Sequence, residues 1–154
     1  MKHVLLPIDG STRSLRTIDM VQQTYRPQDT EVTLLMVLPD QMHIDGQFAR
    51  DRMARKAAQE LETFAALLPG WTVRTELLWG SPGPEIVYYA RERGFDALVM
   101  TRSSRGPLQK LGSVATYVVR NAQFLDLIIM RAVSYTHLRA PETLANLVCR
   151  LLLE

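Results

Sequence analysis

The chain has 154 residues, 47% of them hydrophobic and 22% charged, with a formal net charge of +2. This length is that of one domain with a sizeable core, and the net charge is too small to indicate a nucleic-acid partner or a membrane surface. A single cysteine, Cys149, excludes an internal disulfide framework. No run approaches the roughly 18 apolar residues of a membrane span, and the apolar run of "MKHVLLPIDG" ends too soon for a signal peptide. The expected location is cytoplasmic, with neither nucleic acid nor membrane as partner.

In chain order, residues 3–8 ("HVLLPI") form a near-continuous apolar run, which predicts a strand buried on both faces of a parallel sheet. Pro7 lacks a ladder donor and belongs at the end of that strand. Ser11 is placed to cap a helix whose stripe is Leu15, Ile18, Val21 and Tyr25. Residues 31–38 ("EVTLLMVL") predict a second buried strand, and 39–49 ("PDQMHIDGQFA") the longest irregular connection. Met53, Ala57, Leu61, Phe64 and Leu68 mark a second helix, ended by Pro69-Gly70. Residues 72–78 ("TVRTELL") alternate instead, with Arg74 and Glu76 on one face, as an edge strand does.

Ser81-Pro82 opens a third helix that carries Ile86 and Ala90, and Gly94 is its stop. The run 97–101 is a fourth strand. Ser113 caps a fourth helix with Val114, Val118 and Ala122 on one face, and 126–130 ("DLIIM") is the fifth strand. Such alternation predicts an α/β fold, an open doubly wound five-stranded parallel sheet, Rossmann-like, with helices on both faces.

From Ser134 a further 21 residues, "SYTHLRAPETLANLVCRLLLE", continue beyond what this pattern requires. They resemble a tail found on unrelated environmental sequences and are read as foreign to the domain. The alternative is a peripheral helix over 143–153, docked through Leu144, Leu147, Val148 and Leu151. The domain is accordingly taken as 1–132 and the tail as 133–154.

Ligands of doubly wound sheets bind outside the carboxyl ends of the strands, where the strand order reverses. Three segments fall at such ends: Asp9-Gly10-Ser11, Val37-Leu38-Pro39-Asp40, and the loop 101–113, "TRSSRGPLQKLGS". Asp9 suits a ribose hydroxyl or a base edge, but by spacing alone the better reading is a loop carboxylate capping the first helix with Ser11. The loop presents backbone amides, hydroxyls, and the cations Arg102, Arg105 and Lys110. It closes on Gly112-Ser113 at a helix N-terminus, which favours an anion. The plainer reading is a solvated connection before a capped helix.

Neither a Walker A loop nor G-x-G-x-x-G occurs, and there is no G-x-S-x-G elbow. His3, His43, His137 and Cys149 share no metal-ligand spacing. Glu60, Glu62, Glu85 and Glu92 read as solvent-facing helix residues away from the strand ends. The residues alone therefore describe a binding fold with one candidate anion loop. No catalytic residue and no resident metal is named.

"HVLLPIDGS", "VTLLMVLPD", "GSPGPEIVYYARERGFDALVM" and "GPLQKLGSVATYVVRNA" resemble the universal stress protein (UspA-like) family, in order from Met1 to about Arg131. The resemblance implies a homodimer paired through the last strand, residues 126–130. It also implies adenosine contacts at Asp9 and, through the backbone, Val37, with phosphates at G-x-x-G, nine residues, then G-[ST]. Gly112-Ser113 match that final pair, and Gly106 matches a common continuation of the loop. Thr101 and Ser104 stand where the first two glycines belong, with Arg102 between them, and only seven residues separate Ser104 from Gly112. Glycine permits positive φ and close backbone approach to phosphate, so its loss impairs the motif.

The expectation is a non-enzymatic dimeric stress-response module with weak or lost ATP binding. The alternatives are a member that still binds ATP or AMP through the variant loop, with nucleotide-associated magnesium as the only metal, and a slow ATPase.

Overall fold

A computed structural model describes residues 1–11, 13–40, 42–102 and 113–131. Strands β1 (Lys2–Pro7), β2 (Thr30–Leu38), β3 (Thr72–Trp79), β4 (Ala97–Arg102) and β5 (Asp126–Arg131) alternate with helices α1 (Arg13–Thr24), α2 (Met42–Ala65), α3 (Pro82–Arg93) and α4 (Ser113–Asn121). The sheet order is β3-β2-β1-β4-β5, and every pairing is parallel. The chain runs outward from β1 to β3, then returns to lay β4 on the other side of β1. The order therefore reverses between β1 and β4, and a crevice opens at their carboxyl ends.

Alternate strand residues enter two cores. Val4, Leu6, Val32, Leu34 and Val99 pack with Ile18 and Val21 of α1 and Ala57, Leu61 and Phe64 of α2. Leu5, Leu35, Leu98, Met100 and Ile129 pack on the other face with Ile86, Val87 and Ala90 of α3 and Ala115 and Val118 of α4. That division is why the central strands read as unbroken apolar runs: both of their faces are dry. Burying each such leucine contributes roughly 1.5–3 kcal/mol.

The alternating strand β3 is an edge, as its pattern predicts, and its Arg74 reaches Glu31 of β2 at 2.6 Å. Pro7 ends β1, and pairing resumes where Ile8 N–H donates to the Leu35 carbonyl at 2.8 Å. Gly94 ends α3 in the left-handed region, its N–H donating to the Ala90 carbonyl. Among the described residues no helix is long and apolar enough to cross a membrane.

Three local expectations need correction. Leu15 is 44% exposed, because α1 turns Ser14, Thr17, Ile18 and Val21 inward instead. Met53 is likewise more exposed than the rest of its stripe. The connection 39–49 is mostly helical: α2 starts at Met42 and is interrupted at Gly46 (φ 71°, ψ −168°), which breaks the apolar periodicity that would have marked the helix. Ser81-Pro82 opens α3 as expected: Ser81 is the N-cap, without a side-chain capping bond, and Pro82, which needs no N–H partner, begins the first turn.

Glu60 and Glu85 do not simply face solvent. The Glu60 carboxylate lies against Gly10 after β1, and that of Glu85 against Gly80 after β3, so both helices reach the strand ends. Gly10 is required by its backbone angle (φ 80°), and a Cβ there would also push aside the movable end of the Glu60 side chain. The expectations for 133–154 lie outside the described residues.

Candidate functional site

A cleft of about 300 Å³ lies at the carboxyl ends of β1, β2 and β4. Its floor is apolar, formed by Ile8, Leu35, Val37, Ile86 and Met100. Its polar wall is made by Asp9, Arg13, Ser14, Thr17, Thr101 and Ser113. An apolar floor beneath a few converging polar groups is the general form of a small-molecule site.

The wall follows from the turn between β1 and α1. Asp9 Oδ1 accepts the Ser11 N–H at 2.9 Å and the Ser11 hydroxyl at 2.5 Å, the arrangement of an Asx turn. The Ser14 hydroxyl also donates to Oδ1 at 3.2 Å, and Arg13 donates to Oδ2 at 2.8 Å. These bonds hold the Asp9–Ser11 turn ahead of α1, and the same residue lines the cleft.

Burial is the largest single influence on Asp9 and raises its pKa. The opposing donors of Ser11 and Arg13 together outweigh it and hold the carboxylate below its ordinary 3.8. At neutral pH Asp9 is therefore an anion inside the cleft, matched by Arg13.

A second network ties α1 to β4. The Thr101 hydroxyl donates to the Arg13 carbonyl at 3.1 Å and accepts from Thr17 at 2.8 Å. Thr101 is still a strand residue, in register with Met130, before the chain enters the loop. Ser113 opens the described part of α4, and with Val114 and Ala115 it brings that end of the helix to the cleft.

Of the residues expected from sequence, Asp9, Val37, Thr101 and Ser113 thus meet around one cleft. Arg102 ends β4, and Ser104, Gly106 and Gly112 lie outside the described residues. Arg13, Ser14 and Thr17 were not foreseen. Their signal was present as polar residues three and four apart, directly after Asp9, on the face that α1 turns inward.

A family model described as the universal stress protein family matches residues 1–138. The chain belongs to that family. A universal stress protein of Methanocaldococcus jannaschii is 26% identical over 140 residues, 84% of this chain and 82% of the relative. The solved universal stress protein of Archaeoglobus fulgidus superposes with a TM-score of 0.68 at 22% identity, over 84% of this chain and 93% of that one. A family member from Arabidopsis thaliana, solved with AMP bound, gives 0.64 at 18% identity, covering 92% and 98%. Universal stress proteins solved with cAMP, and from Archaeoglobus fulgidus with dAMP, give 0.63 and 0.60 at 21% and 20% identity. They cover 86% and 84% of this chain and 98% and 96% of their own. The five-stranded α/β architecture of the universal stress proteins is thus the architecture of this chain.

Proposed function

We propose that this universal stress protein is a non-enzymatic regulatory module that binds adenine nucleotides weakly and acts as a dimer. The observation that carries the reading is the convergence of Asp9, Val37, Thr101 and Ser113 on one cleft at the reversal of strand order. In this reading the apolar floor takes the base. Asp9 and the Val37 backbone orient the nucleoside, and the N-terminus of α4 at Ser113 faces the phosphates with its exposed amides. The phosphate role of Arg102, Ser104, Gly106 and Gly112 is carried over from the family motif alone. The AMP, cAMP and dAMP complexes of relatives support an adenine ligand for this cleft.

Weakness follows from the loop. Thr101 and Ser104 replace glycines of the family's phosphate motif, and the Thr101 hydroxyl is already bonded to α1. Calorimetry on the purified protein is expected to give dissociation constants above about 100 μM for ATP, or less than roughly 5.5 kcal/mol of binding free energy. Low-micromolar ATP binding would overturn the weak assignment. No heat and no nucleotide-dependent stabilisation with AMP, cAMP or ATP would overturn the adenine site itself.

The dimer reading rests on β5, an apolar strand at the sheet edge whose outer side faces no other described strand. Such an edge presents a row of unsatisfied backbone groups that a second copy can pair. Light scattering at micromolar concentration should return twice the chain mass of 17.5 kDa. A monomer there would count against pairing through residues 126–130.

A further inference from the structure

Among the described residues lining the cleft, Asp9 is the one anion and Arg13 the one cation. Arg13 sits where the two halves of the wall meet. Its guanidinium donates to Asp9 Oδ2 at 2.8 Å, while its backbone carbonyl accepts from Thr101, the residue that leads towards the phosphate loop. This pins the backbone and leaves a long side chain to pivot. The side chain is 37% exposed, so moving it does not require opening the core.

A phosphate entering the cleft meets the ionised Asp9, and two like charges at close range in a partly desolvated site repel strongly. Arg13 cancels that charge, and a guanidinium has five N–H donors in a fork that suits phosphate oxygens as well as a carboxylate.

We propose that Arg13 is the phosphate-selecting residue of this cleft. It neutralises Asp9 in the empty site and turns its guanidinium to the phosphate of a bound adenine nucleotide, leaving Asp9 to accept from ligand hydroxyls. The proposal rests on the adenine-nucleotide reading of the cleft. It adds that selection between nucleoside and nucleotide resides in α1 as well as in the loop 101–113.

The test is calorimetry with adenosine and with AMP on the wild type, Arg13→Ala and Arg13→Lys, with folding checked by circular dichroism. Arg13→Ala should weaken AMP by about tenfold, the loss of a charge-assisted contact, while adenosine binds as well as before or better. Arg13→Lys should recover part of the AMP affinity, since it keeps the charge without the fork. Equal losses for adenosine and AMP would show that Arg13 only holds the Asp9 turn, and would overturn the proposal while sparing the cleft. Unchanged AMP affinity would overturn it as well. A wild type that binds neither ligand would remove the nucleotide reading and this proposal together.

Discussion

Replacing Leu35 with alanine is expected to cost about 2–5 kcal/mol of folding stability and to deepen the cleft. Leu35 is fully buried in the core beneath α3 and α4 and is among the residues that line the cleft. It stands on β2 between β1 and β3, and its carbonyl accepts the Ile8 N–H at 2.8 Å. Neighbours held in a sheet cannot slide inward to fill the space, so the cavity term adds to the lost transfer free energy. Chemical denaturation should show a lower midpoint with an unchanged slope. Leu35→Met, close in volume, should cost less than about 1.5 kcal/mol. Leu15→Ala, on the exposed side of α1, should stay within about 0.5 kcal/mol of wild type. A loss below about 1 kcal/mol for Leu35→Ala would mean that the sheet relaxes around the hole, contrary to this account.

The contrast between Leu35 and Leu15 also marks what the sequence makes legible. Strands β1, β2, β4 and β5 were visible as apolar runs because both of their faces are covered, and β3 was visible as an edge because Arg74 and Glu76 interrupt it. Periodicity served α1 poorly, since a stripe drawn only through apolar residues picks Leu15 and passes over Ser14 and Thr17. These two polar residues face inward because their hydroxyls have partners there: Asp9 for Ser14, Thr101 for Thr17. Polar groups that satisfy one another across elements leave no hydrophobic signal.

Glu60 was read as solvent-facing although it lies three residues after Ala57 and four before Phe64, on the packed side of α2. What the spacing did not disclose was the glycine beneath it, because the path from α2 to Gly10 exists only once β1 and β2 are paired. The strand-end rule was more informative for the site. It singled out the segments 9–11, 37–40 and 101–113 without any knowledge of the strand order, and the family resemblance picked Asp9, Val37, Thr101 and Ser113 from within them. Arg13 escaped it because that rule reads the loop after a strand, and Arg13 is already the first residue of the following helix.

The Thr17–Thr101 pair should show its coupling in a double-mutant cycle. Thr17 is 1% exposed, and its hydroxyl donates to Thr101, which in turn donates to the Arg13 carbonyl. Thr101→Val removes the acceptor for a buried hydroxyl and the α1–β4 link together, at an expected cost of about 1–3 kcal/mol. Thr17→Val leaves the Thr101 donation to Arg13 intact and should cost less, about 0.5–1.5 kcal/mol. With both hydroxyls gone no donor is left stranded, so the double variant should be less destabilised than the sum of the two, by at least about 0.5 kcal/mol. Denaturant unfolding of the three variants measures this directly. Strictly additive losses would show that the two hydroxyls act independently. A sub-additive result would establish them as one strut, which fixes the Arg13 backbone beside the point where β4 enters the loop.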